Sequence, residues 1–193
     1  MVRASTEELV RRTIAGDRAA FGSLYDRHAP AVQRFLVAQR LELDHQEVED
    51  AVQETFMRLH GLLPRFEPRR PFEPYLLGIA RLVALETERK GRPPLQLRER
   101  PRSEVEALTV EAEAARTVLR AEESSLVAQA LAAIPAEARA VISLRFVSGL
   151  TMKGLADSLS VSVPTARSRL RAAARGFAAE LSRLGVAPEE ARA

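Results

Sequence analysis

Apolar residues recur at spacings of three and four along almost the whole chain, and no stretch alternates apolar with polar in the two-residue rhythm of a half-buried strand. Alanine and leucine carry the pattern, and alternating β-branched runs are missing. That periodicity leaves one fold class, all-α. Glycine and proline then cut it into separate helices. Ser5, with Glu8 three residues on, forms a capping box for a first short helix that stops near Gly16. Asp17 reads as the N-cap of a longer helix with Ala20, Phe21, Leu24 and Tyr25 on one stripe. Pro30 is expected to kink or split that helix before Val32, Phe35 and Leu36. Asp44 with Glu47 opens a third helix through Val48, Val52, Phe56 and Leu59, with Gly61 as its stop.

Residues 62–71 hold three prolines and read as a loop; the next helix has Pro74 in its first turn and runs to about Lys90. Gly91 to Ser103, rich in Pro and Arg, reads as a flexible linker, and residues 104–122 as a marginal acidic helix. Four helices follow: Ser125 to Ile134, Ala136 to Val147, Thr151 to Leu159, and one from about Val163 to near Gly185. The organisation expected is two small helical domains, 1–90 and 125–185, joined by a linker over 91–124. The second is a four-helix helix-turn-helix domain.

Composition narrows the function. Of 193 residues, 46 % are apolar and 28 % charged, so the chain can bury a core. With no cysteine, disulfides, thiolate metal sites and Cys nucleophiles are excluded. No apolar run approaches the ~18 residues of a membrane span. The N-terminus lacks a hydrophobic signal core, so no membrane insertion and a cytoplasmic location are expected. Charge alternates by segment: net −2 over 1–60, +5 over 61–102, −4 over 103–124 and +4 over 125–193.

The two basic zones carry the chemistry. A short helix, a three-residue turn at Ser160-Val161-Ser162 and a long helix match helix-turn-helix geometry. The long helix bears Arg167, Arg169, Arg171 and Arg175 with Thr165 and Ser168 near its start, and no acid precedes Glu180. Such a helix suits the major groove; the plain alternative is a solvated basic face on a helical bundle. Ser160 stands where many such turns have glycine. In the other zone Arg65, Arg69 and Arg70 surround Phe66 and Phe72, followed by Arg81, Arg89 and Lys90. Cations among aromatics suit unpaired bases, although Phe66 and Phe72 can equally plug the core beneath the loop. His45 and Glu49 are an i, i+4 pair near Glu42, but no second ligand pair accompanies them, so no metal or cofactor is expected. Neither a phosphate-binding glycine loop nor a nucleophile elbow is present, so the chain is not read as an enzyme.

Two groups of segments resemble a known family. Asp50-Ala-Val-Gln-Glu-Thr-Phe-Met-Arg, Arg65-Phe-Glu-Pro and Phe72-x-x-Tyr-Leu-Leu-Gly-Ile-Ala-Arg81 are similar to region 2 of extracytoplasmic-function sigma factors. Leu131-Ala-Ala-Ile-Pro-Ala-Glu-Ala-Arg-Ala-Val-Ile-Ser-Leu-Arg-Phe, Gly149-Leu-Thr and Pro164-Thr-Ala-Arg-Ser-Arg-Leu are similar to their region 4. The resemblance implies a promoter-directing subunit of bacterial core RNA polymerase. Asp50, Gln53 and Glu54 would dock on the β′ clamp helices. The 62–71 loop and the helix from Tyr75 would recognise and open the −10 element through Arg65, Phe66, Arg69, Arg70, Arg81, Arg89 and Lys90. The helix from Pro164 would read the −35 element through Thr165, Arg167, Ser168, Arg169, Arg171 and Arg175, with its domain also touching the β-flap. An anti-sigma factor is a further expected partner. The chain departs from the family pattern at Leu82 for Asn, Glu86 for Asp, and Tyr75 and His60 for Trp, and Glu88 interrupts a usually basic helix tail. Gly154 stands where an acid is common and Pro164 where Gly is. The departures concentrate on the melting surface, which leaves an alternative: a sigma-like protein that binds polymerase or an anti-sigma factor without opening DNA productively.

Overall fold

The computed structural model describes residues 4–39, 45–67, 69–89 and 125–186, and among them there are helices and no strands. Helix α1 (Thr6–Ile14) begins where the Ser5 hydroxyl accepts the Glu8 amide at 3.2 Å. Asp17 then caps α2 (Arg18–Gln39), its Oδ1 accepting the Ala20 amide at 3.1 Å. The Arg12 guanidinium, bonded to Asp17 Oδ2, holds that carboxyl below its ordinary pKa, with the Ala20 amide second.

Of the two outcomes expected at Pro30, a kink or a split, the split does not occur: α2 is continuous through it. A proline inside a helix costs ~3 kcal/mol. Leu24 before it, and Val32, Phe35 and Leu36 after it, are all buried on one face, and burying such side chains is worth ~1.5–3 kcal/mol each. Packing therefore carries the helix through. Helix α3 (His45–Leu62) passes Gly61 and ends one residue later, where Leu63–Arg65 tighten into a 3-10 turn around Pro64. Leu63 is buried, which draws the chain inward at that point. The Asp44 cap, Lys90 and the 91–124 linker lie outside the described residues.

Helix α4 (Phe72–Arg89) has Pro74 in its first turn, as expected, and buries Leu76, Leu77, Ala80, Val83 and Ala84. Residues 125–133 form α5. Helix α6 (Ala136–Ile142) was expected to run regularly to Val147, but Ser143–Val147 widen into a π turn. That widening lets Leu144 be buried while its carbonyl accepts the Leu150 amide at 3.1 Å across Gly149, whose φ is +68°.

Helix α7 (Met152–Leu159) is capped by the Thr151 hydroxyl on the Gly154 amide at 3.1 Å. Ser160 takes the left-handed conformation (φ 52°, ψ 45°) that glycine usually supplies, and the Val161 amide returns to the Ala156 carbonyl at 3.0 Å. Ser162 caps α8 (Val163–Arg183) through the Thr165 amide. The turn thus has helix-turn-helix form with serine in the glycine position.

The two sets of helices share one apolar cluster, with α2 and α4 packed on α6, the π turn and α7. At Gly78 the approach is so close that a Cβ would sit 2.8 Å from the Ser158 carbonyl oxygen. Gly154 likewise faces Pro74. Two ion pairs cross the seam, Arg81–Glu137 at 3.0 Å and Glu88–Arg139 at 2.8 Å.

Candidate polymerase and promoter surfaces

Helix α3 presents Asp50 and Gln53 to solvent with Glu54 half-buried beside them. Asp50 accepts from the Gln46 amide nitrogen, at 3.2 Å. Glu54 accepts from Arg58 Nε at 2.7 Å, and Arg58 Nη2 donates to Glu86 of α4 at 2.7 Å. The two carboxylates, Glu86 first, hold the Arg58 guanidinium above its ordinary pKa. Sequence reasoning missed Met57, which is 71 % exposed. It lies seven residues after Asp50 and three after Glu54, so helical spacing places it on the same stripe. An apolar side chain beside acids in that register was the available signal.

The loop before α4 is built on rings. Phe66 lies edge-on to Phe72 (centroids 5.9 Å apart) and tilted against Tyr75 (4.7 Å), while His28 of α2 reaches Phe72 at 5.0 Å. Phe66 is only 6 % exposed, so its ring plugs the core and gives a wall to a cavity of about 270 Å³. Thr6, His28, Arg70 and Phe72 line the same cavity. Arg65, Arg69, Arg70 and Arg89 are exposed, with the Arg70 guanidinium 6.0 Å from the Tyr75 ring centroid. Arg81 is different: it is turned into the seam, its side chain 13 % exposed and paired with Glu137. Lys90 lies outside the described residues.

Burial, and secondarily the Arg27 charge, hold His28 below its ordinary pKa of 6.5. The folded chain thus prefers the neutral ring, and the unfolded chain takes up the proton first as pH falls. This contribution to stability is complete above pH 6.5 and declines below it. Urea unfolding of wild type and His28→Gln across that range should show the wild type losing stability more steeply on acidification.

Helix α8 buries Ala166 and Ala173 and half-buries Leu170 and Phe177, a stripe that seats it on the domain. Thr165, Arg167, Ser168, Arg169, Arg171 and Arg175 are all exposed, and none of the four arginines has an ion-pair partner among the described residues. Opposite the buried stripe, Arg167, Arg171 and Arg175 follow at four-residue spacing beside Ser168; Arg169 lies toward the other flank. A second residue that the sequence did not single out is Phe146, 69 % exposed in the π turn. His45 and Glu49 pair at 3.0 Å, but no group of three metal-ligating side chains occurs among the described residues.

The Sigma-70 region 2 family model matches residues 24–92, and the Sigma-70 region 4 model matches residues 124–175. These spans carry the α3 face, the aromatic loop and α4, then the helix-turn-helix. The ECF RNA polymerase sigma factor SigL of Mycobacterium tuberculosis is 33 % identical over 174 residues, covering 89 % of this chain and 94 % of SigL. The chain belongs to the extracytoplasmic-function (ECF) sigma factors. The RNA polymerase sigma-H factor of Pseudomonas aeruginosa is 29 % identical, covering 85 % of this chain and 87 % of that one. Among solved structures, CnrH in complex with the cytosolic domain of CnrY superimposes with a TM-score of 0.65 at 26 % identity, covering 92 % of this chain and 97 % of CnrH. The fold also matches RpoE of Bartonella quintana in complex with the anti-sigma factor NepR, with a TM-score of 0.59 at 20 % identity, covering 84 % of this chain and 96 % of RpoE. This ECF sigma factor is thus an RNA polymerase subunit for transcription initiation and carries both helical sigma regions. No helix among its described residues is long and apolar enough to cross a membrane.

Proposed function

We propose that residues 1–90 dock on the polymerase β′ clamp through Asp50, Gln53, Glu54 and Met57 and engage the −10 element. On this reading residues 91–124 act as the linker, and residues 125–185 read the −35 element. The observation that carries it is the division of charge: an acidic α3 stripe with an exposed methionine, and an α8 row of arginines without ion-pair partners among the described residues, behind a helix-turn-helix turn. The first suits a basic protein surface with an apolar centre, the second suits phosphates and guanine edges. Phe146 is the apolar contact available to the β-flap. On the −10 side the exposed Arg65, Arg69, Arg70 and Arg89 meet the backbone, and the cavity beside Phe66 is the place for an unpaired base. An anti-sigma factor is the proposed regulator, on the ground that the anti-sigma factor NepR is in complex with the matching RpoE and the cytosolic domain of CnrY with CnrH. Work with polymerase puts the chain in the cytoplasm, as an initiation factor and not an enzyme.

The melting step decides between a full sigma factor and a non-melting binder. Stacking opposes opening by ~1.4 kcal/mol per base-pair step. Leu82 is 47 % exposed and offers no hydrogen bond toward a base. Reconstituted transcription should therefore be stronger from a premelted −10 template than from duplex, and Leu82→Asn should narrow the difference. Silence on the premelted template with polymerase binding intact would establish the non-melting alternative.

A further inference from the structure

The docking surface on α3 and the −10 surface on α4 each carry one charge of the wrong sign. On α3, Asp50, Glu54 and Arg58 follow at four-residue spacing, so the row offered to a basic partner ends in a cation. On α4, Leu82, Glu86 and Arg89 fall on one stripe, so the face offered to DNA holds an anion. These two charges are bonded to each other. Arg58 Nη2 donates to Glu86 Oε2 at 2.7 Å, while its Nε donates to Glu54 Oε1 at 2.7 Å.

The Arg58 side chain is 31 % exposed and each acid 43 %, so the trio sits on the rim where the two surfaces meet. Ion pairs that wet add little to stability, which argues against a mere brace between the helices. An acid turned toward phosphates without a cation beside it, by contrast, costs binding. The fork of a guanidinium lets one residue hold two carboxylates at once. One positive charge is then divided between two negative ones. A cation from a partner that takes Glu54 leaves the guanidinium to Glu86.

We propose that Arg58 is a positioning residue that links polymerase docking to promoter opening: it neutralises Glu86 on the DNA-facing stripe of α4, and a polymerase cation on Glu54 turns it wholly to that task. This rests on the reading of α4 as the −10 face. Arg58 itself touches neither polymerase nor DNA.

Holoenzyme reconstituted from core polymerase and the full chain, on a duplex with both promoter elements, reads opening by the permanganate reactivity of unpaired thymines. At saturating core polymerase, Arg58→Gln should lower opening about tenfold, because Glu86 then sets more of its charge against phosphates. Adding Glu86→Gln should restore opening to within about twofold of wild type, although the α3–α4 bond is still missing. A brace predicts the reverse, with the double variant as low as the single one, and that result overturns the proposal. The link to docking is read in the free chain with a single-stranded −10 oligonucleotide. Glu54→Gln should raise its affinity about threefold by leaving Arg58 to Glu86, and the gain should vanish in the Arg58→Gln background. No gain, or a gain that persists without Arg58, overturns the link. Arg89→Ala tests the premise separately. If it leaves oligonucleotide binding unchanged, α4 is not the −10 face and the proposed function loses that assignment. If it weakens binding while Glu86→Gln fails to rescue Arg58→Gln, the role of Arg58 alone falls.

Discussion

Reversing Asp50 to Arg is expected to cost this ECF sigma factor about a hundredfold in affinity for core polymerase, ~3 kcal/mol at an interface where like charges meet. Asp50 is the cleaner site for the test because, among the described residues, its side chain bonds to Gln46 within α3. Reversing Glu54 also removes the bond to Arg58 Nε and sets a second cation beside the Arg58–Glu86 pair, so its effect mixes docking with the α3–α4 contact. Met57→Ala should remove a further part of the affinity by deleting the apolar centre of the stripe, with little change in thermal stability, since the residue is 71 % exposed. Fluorescence anisotropy of labelled sigma titrated with core enzyme reads all three. Binding unchanged in Asp50→Arg, with the helical circular dichroism intact, would place the docking face elsewhere.

Most of the local structure was legible because local chemistry decides it. Ser5, Asp17, Thr151 and Ser162 each offer a side-chain oxygen to an amide three residues on, and each starts a helix where the sequence placed one. What the sequence did not reveal depends on residues far away along the chain. Pro30 stays inside α2 because the apolar face on both sides of it is buried. The π turn at Ser143–Val147 coincides with the burial of Leu144 in the few residues before Gly149. Glu86 and Glu88 read as charges that would repel DNA, but Glu86 bonds Arg58 of α3 and Glu88 bonds Arg139, 51 positions away. Phe66 and Phe72 had two readings by composition; the ring geometry puts both in the core, with a cavity rather than an open stacking face beside them. Arg81 was indistinguishable by sequence from its exposed neighbours, and only the partner helix shows that it is engaged.

The arginine row on α8 sets the second large effect. Arg167, Arg171 and Arg175 occupy one side, and the buried Ala166 and Ala173 fix that side outward. Arg169 is ~200° from Arg167 around the helix and cannot share the groove with it. An arginine on a base edge is worth ~1–3 kcal/mol and one position of specificity, whereas one on a phosphate lowers affinity for all sequences and flattens the salt dependence by about one ion. Alanine at both Arg167 and Arg171 should therefore lower −35 affinity by roughly two orders of magnitude or more, and Arg169→Ala by far less. None of these side chains is tied to an acid among the described residues, so the loss should appear in DNA binding and not in thermal stability. Titrations at several salt concentrations, against the native element and single-base variants, assign each arginine to base or phosphate. If the double variant keeps both its affinity and its salt slope, the exposed row opposite Ala166 is not the recognition face, and Thr165 with Arg169 on the other flank becomes the surface to test.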